Sequence, residues 1–176
     1  MDKNSVIVKG KIVNKYKTRG EHIILTIKTC KHNFPAIFFP KAVSADMADE
    51  FEVGDNVEIV GNLQSTKKNN LFTCGIFGTE IRYAEDENRR NYFELEGRII
   101  KFESLGNMYR LIIESEVDNH YSTVPVVFYN KKHEKILLER RVGEMLQIRG
   151  VIQTKKADFP NGNRLHYVNF VAYSCA

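Results

Sequence analysis

VGDNVEIVGNLQSTKK at 53–68 and VGEMLQIRGVIQTKK at 142–156 are two copies of one pattern. Each opens on a Val-Gly-acid turn and continues as an alternating apolar strand interrupted by a glycine, Gly61 or Gly150, before ending in Gln, Thr and two lysines. The copies stand 89 residues apart at Val53 and Val142 but 88 apart at Thr66 and Thr154, because the first holds one extra residue, Ser65. A pattern that recurs after half a chain predicts two related domains.

Outward from the repeat, the same order of elements is expected on both sides. Residues 6–13 alternate with a period of two around Gly10, which marks a strand with a bend. A turn near 18–20 leads to a second strand at 22–29, and a third runs over 34–39 until Pro40 stops it. KAVSADMADEF at 41–51 has Ala42, Ala45, Met47, Ala48 and Phe51 at helical spacing, so a short helix is expected there. The repeated strand follows at 56–63, then a loop at 67–70 and a fifth strand at 71–83.

AEDENRRN at 84–91 is almost wholly charged and polar and is expected to be a solvated linker. The order then returns: strands at 92–102, 108–115 and 123–129, a short helix near 132–140, and strands at 146–152 and 164–173. The expected fold class is all-β, with two tandem OB-fold five-stranded barrels, each with a short helix between its third and fourth strands; the pattern also fits another small barrel, and the glycines in strands one and four of both copies favour the OB fold. The boundaries are 1–84 for the first, 85–91 for the linker and 92–176 for the second.

Composition narrows the function. The chain of 176 residues is 43% hydrophobic and 27% charged, the balance of a soluble globular protein rather than a membrane or disordered one. MDKNSVIVKG at the start has no apolar run of signal-peptide length. Cys30, Cys74 and Cys175 are an odd number without CxxC spacing, which predicts a reducing, cytoplasmic setting rather than a disulfide framework. A zinc site from Cys30, His32 and Cys74 fits no known ligand spacing, so no metal and no cofactor are expected. The net charge of +4 is unevenly placed: residues 3–31 hold eight Lys or Arg against Glu21, while 42–62 hold six acids and no base. Phosphate-cradling, metal-ligand and nucleophile motifs are all missing from the sequence, and the prediction is that the chain is not an enzyme.

FFPKAVSADMADEFEVGDNVEIVGNLQSTKK at 38–68 resembles a segment of the bacterial and phage single-stranded-DNA-binding (SSB) proteins. In them a strand ends in aromatic-small-Lys, a helix follows, and a turn leads to a strand, a glycine and a basic loop. FYNKKHEKILLERRVGEMLQIRGVIQTKK at 128–156 is similar to the same segment. The resemblance implies that Phe39 and Tyr129 stack on bases and that Lys41 and Lys131 meet the phosphodiester backbone. It places Lys67 and Lys68 of the first copy, and Lys155, Lys156, Phe159 and Arg164 of the second, on the basic loop between strands four and five. The chain departs from the family's pattern where it ends in HYVNFVAYSCA, a strand-like stretch in place of an acidic tip.

Holding a single strand without reading its sequence requires cations along the backbone path and flat aromatic faces for the bases. Lys9, Lys11, Lys15 and Lys17 occupy odd positions of the first strand and are expected on one face, against the alternative of an ordinary solvated surface. The second copy lacks this stripe, having Glu96, Arg98 and Phe102 instead, and Arg110 is its candidate replacement, with a surface ion pair as the competing reading. The expected function is sequence-independent binding of single-stranded DNA in replication, recombination or repair, in a phage or mobile element, with replication or recombination proteins and a second copy of the chain as further partners. No membrane partner is expected. The alternatives are an adaptor that contacts other proteins through the acidic surface at 46–58, and a binder of single-stranded RNA.

Overall fold

Alternation of apolar and polar residues at a period of two produces strands along most of the described chain, and a short helix at Val43–Asp49 interrupts them. The structure, a computed structural model, describes residues 3–68, 71–85, 90–117, 120–129, 137–158, 160, 162 and 164–176, with the backbone alone at 68, 157, 158 and 164–167. In order, the elements are β1 (Asn4–Lys17), β2 (Ile23–Lys28), β3 (Asn33–Phe38), α1 (Val43–Asp49), β4 (Asn56–Lys68), β5 (Leu71–Tyr83), β6 (Asn91–Leu105), β7 (Met108–Val117), β8 (His120–Phe128), β9 (Met145–Asp158) and β10 (Arg164–Cys175).

The first five strands form a closed barrel in the order β2-β3-β5-β4-β1, with β1 returning to pair with β2. β1 runs antiparallel to β2 and β4, β2 runs antiparallel to β3, and β3 meets β5 in parallel. β6 to β10 repeat these pairings as β6-β7-β8-β10-β9, with β6 also pairing with β9 and a parallel contact between β8 and β10.

Two compact units result, one of residues 5–63 and 75–92, the other of residues 1–4, 64–74 and 93–176. These are called the N-terminal and C-terminal units below. Val8, Leu25, Phe34, Phe38 and Ile59 are fully buried in the first, and Phe93, Leu111, Val126, Phe128 and Phe170 in the second. Val6, Val8 and Ile12 point inward from β1 and Leu95 and Ile99 from β6, as alternation requires.

One expectation changes. The Thr-Lys-Lys segments were expected in loops, yet β4 runs to Lys68 and β9 to Asp158, with Lys155 and Lys156 paired to Tyr167 and His166. In both copies the strand continues through the polar residues after the glycine and on through the lysines. Lys67, Lys155 and Lys156 are therefore strand residues of extended hairpins. The second helix, expected near 132–140, falls largely on residues outside those described, as do 86–89 of the expected linker.

The repeated glycines explain how each ring closes. A Cβ on Gly61 would collide with the Phe77 carbonyl oxygen, and one on Gly150 with that of Val171. The fourth strand of each set can press against the fifth only because no side chain intervenes. Gly61→Ala is expected to lower stability by about 2 kcal/mol through overpacking, read as an earlier midpoint in urea unfolding; an unshifted midpoint would show that the barrel closes without this approach.

Candidate nucleic-acid interface

A β-bulge decides which lysines share a face. In β1 the register with β2 shifts between Ile12, opposite Ile27, and Asn14, opposite Thr26. One inserted residue, Val13, exchanges inward for outward in everything that follows. Lys11 lies opposite the exposed Lys28, whereas Lys15 and Lys17 lie opposite the inward-facing Leu25 and Ile23. The expected stripe of four cations on one face is thus divided.

Two of its members hold the fold together. Lys15 Nζ donates to the carbonyls of Asp49 at 2.6 Å and Phe51 at 2.8 Å, and its ammonium lies 3.5 Å from Asp49 Oδ1 and 3.6 Å from Glu52 Oε1. It supplies the cation that the last turn of α1 lacks. Lys9 Nζ lies 3.3 Å from Glu58 Oε2, and Arg82 binds the other oxygen of the same buried carboxylate. Lys11 and Lys41 remain exposed, the latter with a left-handed backbone at φ 66°.

With the bulge in place, cross-strand pairing writes rows across the outer surface of the N-terminal unit. Tyr16 faces Ile24, Ile24 faces Ile37, and Ile37 faces Phe77. At about 4.8 Å between strands this apolar row spans roughly 14 Å. Lys11, Lys28 and Asn33 form a second row, four residues further along β2, roughly 13 Å away at strand rise. At the end of the apolar row the Phe39 ring stacks on Phe77, with centroids 4.5 Å apart and planes inclined by 19°. His22 approaches Phe39 edge-on at 5.2 Å and is placed by the β1–β2 turn, where its backbone N–H donates to Thr18 Oγ1. Phe39 is nevertheless 46% exposed and Tyr16 49%. A stacked pair whose Phe39 ring keeps this much open surface can accept a further flat ring.

The equivalent place in the C-terminal unit is built differently. Lys155 Nζ sits 3.7 Å from the centroid of the Tyr129 ring, and Asn169 Nδ2 donates to the Tyr129 hydroxyl at 3.1 Å. The structure thus brings Tyr129 and Lys155 together, with a cation over the ring rather than a second ring under it. Lys156 is exposed beside them. Arg110 Nε and Nη2 both lie 2.6 Å from Glu103 Oε2, and its guanidinium carbon is 5.5 Å from the Phe72 centroid, with Lys67 Nζ 5.6 Å from the same ring. Arg110 therefore makes the ion pair that competed with a binding role. Lys131 and Phe159 lie outside the described residues, as do the side chains of Lys68 and Arg164.

Sequence reasoning passed over Tyr16, His22, Lys28 and Phe77. Phe77 was legible, since it follows the inward-facing Ile76 and must point outward. Tyr16 was hidden by the bulge. Among the described residues no group of three or more His, Cys, Asp or Glu is placed to hold a metal ion, and no helix is long and apolar enough to cross a membrane.

No family model matches the chain, and no curated protein matches it. Among solved structures it is similar to the wild-type single-stranded DNA binding protein from Thermus aquaticus, with a TM-score of 0.71 and 14% identity over 99% of this chain and 92% of that one. A deletion mutant of that protein gives a TM-score of 0.70 at 14% identity, over 99% and 94% of the two chains. At this identity the likeness establishes a shared fold.

The carboxylates that organise the lysines give the fold an acid limit. Burial pushes Glu58 up, but hydrogen bonds from Arg82 and Lys9 outweigh it and hold the carboxyl below its ordinary value. Glu103 is lowered by hydrogen bonds from Lys101 and Arg110, against a smaller opposing effect of burial. A depressed carboxylate contributes its full stability above its unfolded value, about pH 4.3, and loses it as pH falls through the lower folded value. Thermal unfolding is expected to move down in temperature over that acid window. Glu58→Gln should lower stability at neutral pH by about 2 kcal/mol and flatten part of the acid decline; an unchanged pH profile would exclude Glu58 as a contributor.

Proposed function

We propose that the chain binds single-stranded DNA without reading its sequence, through base stacking on the Phe39–Phe77 pair and phosphate contacts from Lys11, Lys28 and Lys41, in replication, recombination or repair. We read the chain as two tandem OB barrels, 1–84 and 92–176, joined by 85–91. The observation that carries the function is the stacked and half-open Phe39–Phe77 pair. It ends an apolar row that crosses four strands and runs beside a row containing two lysines. Bases unstacked from a duplex present flat faces to such rings, and their phosphates need cations at a spacing of several ångströms to either side. A duplex hides those faces, so unpaired strands are the substrate class that the surface suits. The fold shared with the Thermus aquaticus protein, which is named for single-stranded DNA binding, supports the same reading.

The adaptor reading draws on the acidic surface at 46–58. Asp49, Glu52 and Glu58 of that segment are held in ion pairs with Lys15, Lys9 and Arg82, which leaves it less free negative charge than the sequence suggests.

Fluorescence titration with oligo(dT) at two salt concentrations tests the proposal. Binding is expected to weaken with salt, and Phe39→Ala or Phe77→Ala should each cost about 1 to 3 kcal/mol of affinity. Lys11→Ala and Lys28→Ala should each make the salt dependence shallower, by roughly 0.7 in the slope of log K against log salt. Absence of salt-sensitive binding to any single strand would overturn the function, and equal affinity for poly(U) and poly(dT) would overturn the restriction to DNA.

A further inference from the structure

The two sets of strands share a register, so each outward position in one has a counterpart in the other. Ile37 and Val127 occupy the same place, each paired with the fifth strand of its set at Phe77 or Val171. The apolar row Tyr16, Ile24, Ile37, Phe77 therefore corresponds to Glu103, Arg110, Val127, Val171. Both rows point away from the core, yet their exposure differs. Ile24, Ile37 and Phe77 are half-buried, whereas Val127 is 4% exposed, Val171 8%, and Ile112, also outward from β7, 4%. Something covers the outer face of β7, β8 and β10.

The cover is visible in the C-terminal unit itself, which includes residues 64–74. Ser65 Oγ donates to the Thr123 carbonyl on β8 at 2.5 Å. Phe72 lies against the Arg110 guanidinium of β7, and that guanidinium is held by Glu103. Cys74, two residues further along the chain, is buried, which pushes its thiol up to about 12. Contacts at Thr123 and at Arg110 place the segment over both β8 and β7.

The geometry points to a self-docked arm: residues 64–68 and 71–74 lie over the outer face of β7 and β8, where a single strand would otherwise lie. Each chain then offers one open binding face, on β1, β2, β3 and β5, rather than two. The docking stands on the contacts alone, while the consequence for binding rests on the function proposed above. The Arg110–Glu103 pair acts as the arm's seat, since it removes the cation that a phosphate would need and presents a flat guanidinium to Phe72.

The test uses the full chain with Cys30→Ser, Ser65→Cys and Thr123→Cys. If the arm is docked, mild oxidation or a short bis-maleimide joins the two thiols within one chain, because Ser65 Oγ lies 2.5 Å from the Thr123 carbonyl oxygen; failure of both would overturn the docking. Native mass spectrometry with oligo(dT) of about eight nucleotides, within the span of one such barrel, is expected to show one oligonucleotide per chain, with affinity unchanged within threefold when the arm is locked. Two per chain, or a tenfold loss on locking, would overturn the single open face. A chain that joins its thiols but binds no oligonucleotide, locked or unlocked, would refute the proposed function and leave the docked arm standing.

Discussion

Side chains on a strand in a closed ring point alternately inward and outward, and one of them cannot change sides unless all that follow change too. The candidate surface descends from this constraint and from the bulge in the first strand of each ring that relaxes it. The bulge after Ile12 and its counterpart after Ile99 each insert one residue and reset the alternation. In the N-terminal unit the reset brings Tyr16 into the apolar row and turns Lys15 toward the end of α1. A bulge that cost only one paired position thereby created an aromatic surface and closed the C-terminus of a helix.

The frames of the two sets match, but their surfaces diverged. Gly61 and Gly150 meet the same carbonyl of the fifth strand, the parallel contacts coincide, and the bulges fall 87 residues apart, between Ile12/Asn14 and Ile99/Lys101. On that common frame one outer face carries Phe77 and Ile24, while the other carries Val171 and Arg110. Phe39 rests on a ring and Tyr129 lies under an ammonium. A charged pair at Glu103 and Arg110 with a hydrophobic strip beside it suits a protein segment, whereas stacked rings beside lysines suit a nucleic acid. Repetition of a fold need not repeat its binding surface.

The fold was largely legible in the sequence because alternation, glycine placement and turn residues all act locally. Phe34, Ala36 and Phe38 could be placed inward by counting alone, which put Phe39 outward. What the sequence concealed depends on contacts distant along the chain. Lys9 and Lys15 looked like free cations until Glu58 and the carbonyls of Asp49 and Phe51, more than thirty residues away, claimed them. Arg110 stood open between a binding role and an ion pair until Glu103 claimed it. The length of the β4 hairpin was misjudged because polar, exposed Thr-Lys-Lys runs suit an extended strand as well as a loop, and only the pairing tells them apart.

The central claim is that a single strand lies across β1, β2, β3 and β5, with its bases on Phe39 and Phe77. Ultraviolet cross-linking of oligo(dT) to the intact chain, followed by mapping of the modified peptides, tests it most directly. Adducts are expected on the peptides that contain Tyr16, Phe39 and Phe77, and on few others. Adducts concentrated on residues 108–128 instead would contradict the account.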